Sequence, residues 1–90
     1  MAKVENLEAK IIDRLIEDYN VYSELVAINH AQGQNDEWNR GQRSMAKEYL
    51  DSMCEITGTV LVFEMTRRKL TVVTSTTGQE IEYLTARRQR

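Results

Sequence analysis

Histidine and cysteine each occur once in this chain, at His30 and Cys54, and a cysteine nucleophile served by a histidine base is the first chemistry these residue types suggest. Such a pair works only when the imidazole lies within hydrogen-bond reach of the sulfur. The spacing opposes it. On an antiparallel helical hairpin turning near Gly33, His30 sits about one turn before the bend and Cys54 about twenty residues beyond it, roughly 25 Å apart at 1.5 Å per residue. His30 reads instead as a helix-end residue that suits the negative end of the helix dipole. Cys54 reads as a small buried hydrophobe, and a lone cysteine fits a reducing compartment.

The carboxylates carry no clearer chemistry. Glu17 and Asp18 are adjacent, so on a helix they splay by about 100° and do not converge on one substrate. The stretch Asn35-Asp36-Glu37 lacks the alternating ligands and terminal glutamate of a calcium loop, and capping of a following helix explains it more simply. Glycines stand only at 33, 41, 58 and 78, too scattered for a loop that cradles phosphate. No catalytic residue, metal site or cofactor is expected, and the chain is read as non-enzymatic.

Two groups of residues remain as candidates for binding. Arg67, Arg68 and Lys69, with Arg87, Arg88 and Arg90 near the C-terminus, form a candidate polyanion surface, since arginine binds phosphates and a two-stranded ribbon can enter a DNA groove. Residues 66–90 carry six basic and two acidic side chains, whereas residues 1–65 carry six basic and twelve acidic. The acidic remainder and the pI near 5.4 run against a DNA-binding domain, so nucleic acid is the alternative partner. The second group is Ile12, Leu15, Tyr19, Tyr22, Val26, Trp38, Met45 and Tyr49, which helical spacing gathers into a candidate interface. A partly wet groove there for a small ligand is the further alternative, because a buried tyrosine hydroxyl needs a partner.

The elements that must position these residues follow from periodicity. From Val4 to about Ala31, apolar residues at 4, 7, 11, 15, 19, 22 and 26, widened by Ile12, Ile16 and Leu25, make one face of a long helix, while Asn6, Lys10, Asp13, Glu17, Asn20 and Glu24 form the opposite, polar face. Gly33 suits the left-handed position after that helix, and Asn35 or Asp36 caps the next. The second helix is expected over Glu37–Thr57, with Trp38, Met45, Ala46, Tyr49, Leu50, Met53 and Ile56 or Thr57 inward. Gly41 weakens it unless a close helix crossing needs the missing side chain. Gly58 stops it; a helix running on through Met65 is opposed by that glycine and by five β-branched residues between Thr57 and Thr66.

Beyond Gly58 the β-rich run 59–65, a charged turn at Thr66-Arg67-Arg68-Lys69, a second run Leu70–Ser75, a turn at 76–79 and an edge strand Glu80–Leu84 predict a small sheet, followed by a frayed basic tail from about residue 85. The expected fold is α+β in a single domain of residues 1–90: a helical hairpin over 4–57, then a two- or three-stranded antiparallel sheet over 59–84.

Ninety residues bury a thin core, with 41% hydrophobic and 29% charged residues, ordinary for a globular domain. No apolar run reaches the eighteen or so residues of a spanning helix, and the start lacks the apolar region of a secretory signal, so a cytoplasmic location and no membrane partner are expected. Two helices leave part of a wide apolar stripe uncovered, which predicts a homodimer closing as a four-helix bundle, with opposite charge at the two ends favouring an antiparallel arrangement. The expected function is that of a small regulatory protein binding another macromolecule, an unidentified protein partner. It is similar in style to accessory proteins of bacteriophages and mobile elements, though no motif carries that likeness.

Overall fold

Glycine closes both helices. A computed structural model describes residues 3–70 and 79–89, with side chains from Leu7 onward. Its first helix, α1, runs Lys3–Ala31, and Gly33 then takes a left-handed φ of 68°. Backbone bonds from Gln32 to Ile28 (3.0 Å) and from Gln34 to Asn29 (2.8 Å) satisfy the terminal carbonyls. Helix α2 spans Glu37–Thr57 and ends at Gly58, whose φ of 71° turns its N–H onto the Cys54 carbonyl. At the start of α2 the side-chain cap comes from Asn35, whose Oδ1 accepts from Glu37 N–H at 2.8 Å. Asp36 instead accepts from Arg40 Nε at 2.8 Å.

Gly41 within α2 and Gly58 just after it are under opposite constraints. A Cβ at Gly41 or Gly58 would meet no atom within 4 Å, so no close crossing within the protomer demands glycine at 41, and alanine at either site acts through the backbone alone. Gly58→Ala is expected to cost about 1–2 kcal/mol, because a left-handed residue with a Cβ is strained. Gly41→Ala is expected to add about 1 kcal/mol of stability. Urea midpoints moving in opposite directions would check both.

After Gly58 the chain forms a two-stranded antiparallel ribbon, β1 over Leu61–Leu70 and β2 over Gln79–Arg88, with Leu61 opposite Arg88 and Leu70 opposite Gln79. The charged turn expected at 66–69 is absent: Thr66, Arg67, Arg68 and Lys69 continue β1. A strand in so narrow a ribbon exposes one face and one edge and so tolerates a charge run, and the only glycine after 58 is Gly78, between the strands. The expected strand Leu70–Ser75 and turn at 76–79 fall largely on residues 71–78, outside the described residues. Leu70 ends β1 and Gln79 begins β2. The expected edge strand Glu80–Leu84 lies within β2, which continues through Arg88 where a frayed tail was expected. Gln89 N–H still bonds the Val60 carbonyl at 2.9 Å.

That last bond fixes which backbone groups face outward. Residues 60 and 89 form a hydrogen-bonded pair, and pairs alternate along an antiparallel ladder. Phe63 and Ala86, three residues on, are therefore a pair whose N–H and C=O groups point away from each other. Those of Ala86 meet the side chain of Asn20 on α1: Ala86 N–H donates to Asn20 Oδ1 at 2.7 Å, and Asn20 Nδ2 donates to the Ala86 carbonyl at 3.0 Å. An asparagine here completes the edge of a sheet.

Strand β2 thus lies along α1, β1 pairs with β2, and α2 packs on α1, near enough to the ribbon that Lys47 Nζ stands 5.7 Å from the centre of the Phe63 ring. The array is long and thin, 53 × 24 × 18 Å. Its core joins Tyr19 of α1, Ala46 of α2 and Ala86 of β2, with the Phe63 ring edge-on to Tyr19 at 5.6 Å. Ile12 and Leu50 are the most completely buried large apolar side chains. No helix among the described residues is long and apolar enough to cross a membrane.

Candidate interaction surface

The ribbon docks on the polar face of α1, of which Lys10, Asp13 and Glu17 remain exposed. Asp13, Asn20 and Glu24 fall within about 40° of one another around the helix, and each holds the ribbon at a different height. Arg88 donates to Asp13 Oδ1 from Nε (2.9 Å) and Nη2 (2.6 Å) and also to the Ala9 carbonyl (3.1 Å). Asn20 holds Ala86 as described. Glu24 Oε2 accepts from Tyr83 Oη at 2.7 Å and from Arg68 Nη1 at 3.0 Å. Burial, then the bond to Glu24, pushes the Tyr83 hydroxyl above the usual tyrosine pKa, so it stays the donor.

The candidate polyanion residues are spread by this arrangement. Arg67, Arg68 and Lys69 lie towards one end of the ribbon and Arg87 and Arg88 at the other, so positive charge is not gathered at one end of the molecule. Four of these arginines already face a carboxylate. Arg67 bonds Glu82 at 2.7 Å across the strands, Arg68 bonds Glu24, Arg87 bonds Glu64 at 2.8 Å, and Arg88 bonds Asp13. The Arg87 hydrogen bond and charge hold the Glu64 carboxyl below its ordinary range. Lys69 is exposed, and Arg90 lies outside the described residues.

The candidate interface residues separate into two sets. Ile12 and Tyr19 are core side chains of the protomer. Leu15, Tyr22, Met45 and Tyr49, together with Arg14 and Asp18, line an open groove of about 260 Å³ between the helices, and Trp38 packs edge-on to Tyr22 at 5.9 Å. Val26 belongs to a separate cavity nearer the hairpin bend.

Helix α2 explains the split. Ala46 and Leu50 are buried, yet Trp38 (68% exposed), Met45 (47%), Tyr49 (59%) and Ile56 (78%), expected inward, face solvent. These four fall within about 40° of one another, on a line about 100° around the helix from Ala46 and Leu50. Leu7 and Ile11 of α1, also exposed, extend the surface toward the N-terminus. Periodicity does single out most of these positions; it cannot tell which half of a wide stripe the partner helix covers.

His30 and Cys54 are not brought together. His30 is exposed at the end of α1 by the bend, and Cys54 lies in the last turn of α2 at the opposite end of the hairpin. Burial, followed by the Asp51 charge, raises the Cys54 thiol pKa, which disfavours the thiolate. Among the described residues no three His, Cys, Asp or Glu side chains are grouped as a metal site requires. No protein-family model, curated protein or solved structure matches the chain.

Proposed function

We propose that this protein is a non-enzymatic interaction protein that acts as a homodimer, its two hairpins closing through the exposed apolar face into a four-helix bundle. The observation that carries the reading is the line Trp38, Met45, Tyr49 and Ile56, exposed on a chain with seven buried apolar side chains among the described residues. Isolated surface hydrophobes need no explanation, but an aligned set of large ones along a helix marks a binding face.

The total surface supports the same reading. A folded monomer of 10.5 kDa is expected to expose about 5,400 Å², and this protomer exposes 6703 Å². The excess, about 1,300 Å², goes with the elongated outline of 53 × 24 × 18 Å and is enough to supply the roughly 800 Å² that each partner buries in a standard interface. A two-fold axis lets one patch meet itself, so a single stripe serves both protomers. The ribbons then lie outside the bundle, and contact with a further macromolecule falls to the edge of β1 that pairs with no strand among the described residues.

Light scattering tests the reading, with and without a short DNA duplex at low salt. The expected mass is about 21 kDa, twice the chain mass of 10.5 kDa, unchanged by the duplex. A monomer at micromolar concentration would defeat the dimer. A salt-sensitive rise in mass with DNA would transfer the function to the arginines of the ribbon.

A further inference from the structure

Near the bend of the hairpin, away from the apolar stripe, α1, the start of α2 and β2 border a second open concavity of about 270 Å³. Its inner wall includes Ser23, which is 1% exposed and whose Oγ has no hydrogen-bond partner. A serine inside a helix ordinarily bonds back to the carbonyl four residues earlier, and a buried polar atom left alone calls for an explanation. This hydroxyl is the one orphaned buried side-chain atom among the described residues, and it stands in the wall of a cavity.

The charges around it are unevenly matched. The cavity also touches Asp36 and Glu82, but Asp36 is engaged by Arg40 at 2.8 Å and Glu82 by Arg67 at 2.7 Å. Arg43 lines the same cavity, is half-buried, and bonds no acceptor among the described residues. Antiparallel packing that sets Tyr19 beside Ala46 brings Ser23 level with Arg43. The unmatched groups are therefore the Arg43 guanidinium and the Ser23 hydroxyl, both donors, together with the exposed His30 imidazole, whose ring makes no hydrogen bond among the described residues. Val26, Ala27 and Leu84 supply apolar wall.

We propose that this cavity binds a small organic monocarboxylate, its carboxylate held by the Arg43 guanidinium and the Ser23 hydroxyl and its apolar body against Val26, Ala27 and Leu84. A guanidinium presents parallel donors to a planar carboxylate; Ser23 Oγ has less than 1 Å² of exposed surface, so its proton turns to the ligand as the wall in front of it opens. Asp36 and Glu82, in the same lining, repel a dianion such as phosphate more strongly than a monocarboxylate. The volume lies just below the range of drug-sized pockets, which suits a short-chain acid.

Titration of the 15N-labelled full chain with sodium butyrate tests the site, with butylammonium and inorganic phosphate as controls. Saturable shifts confined to the amides around Ser23, Ala27, Arg43 and Leu84 are expected with butyrate alone. Arg43→Gln should weaken binding about tenfold or more, the loss of one charged hydrogen-bonding group. Ser23→Ala should weaken it several-fold while the ligand-free urea midpoint rises, since the orphaned hydroxyl is gone; that opposite movement separates ligand binding from a purely structural role. The proposal is overturned if butyrate at about 20 mM, well above a millimolar Kd, moves none of these amides. Equal binding of butylammonium or phosphate, or an Arg43→Gln variant that binds butyrate as the parent does, overturns it as well.

Discussion

Asn20→Leu is expected to loosen the ribbon from the hairpin more than the loss of any surface ion pair does. The substitution conserves bulk but removes the acceptor of Ala86 N–H and the donor to the Ala86 carbonyl, bonds of 2.7 and 3.0 Å. Ala86 is a core residue, so both backbone groups lose their partners away from water, at about 1–3 kcal/mol each. A chain of this length has about 5–13 kcal/mol of total stability. A loss of about 2–6 kcal/mol is therefore a large share. The Arg88–Asp13 and Arg68–Glu24 pairs are partly exposed, and deleting either is expected to cost under about 1 kcal/mol. Urea unfolding of the three variants gives the order, and faster hydrogen exchange at the Ala86 amide locates the effect. If Asn20→Leu costs no more than Arg88→Ala, the asparagine bridge does not secure the sheet edge.

The same residue shows where sequence reading reaches its limit. Helix α1 and the span Glu37–Thr57 of α2 follow from the 3.6-residue repeat and from Gly33 and Gly58, both left-handed in the structure. Local chemistry determines such features. Asn20 belongs to the polar side of the same repeat, and polarity alone reads as solvent contact. A ribbon that docks by its edge needs amide and carboxylate partners, so a polar helical face and a buried one look alike in one dimension. The charge run at 66–69 misleads for a related reason: turns and exposed strands are both polar, and only the pairing of Arg67 with Glu82 and Arg68 with Ile81 distinguishes them. Ser23 and Arg43 carry no signal of their own, because their meeting depends on how the two helices and β2 are set together.

The larger of the two expected effects concerns association. In the double variant Met45→Glu/Tyr49→Glu, both changed side chains are already 47% and 59% exposed in the protomer, so the hairpin should fold with its helical content intact. In the proposed bundle they lie inside the interface, and a two-fold axis repeats each substitution in the partner. Four apolar burials are lost and four carboxylates are drawn into one seam. At about 1 kcal/mol for the buried part of each side chain, the transfer term alone weakens association by about 4 kcal/mol, roughly a thousandfold. Like-charge repulsion adds to it. The mass in solution should fall from about 21 kDa to the 10.5 kDa of one chain. Met65→Glu, at an equally exposed apolar position on β1, should leave the mass unchanged. The reverse result, a dimer that survives the α2 substitutions and separates with Met65→Glu, would place the interface on the open strand of the ribbon, where pairing of two β1 edges would join the sheets.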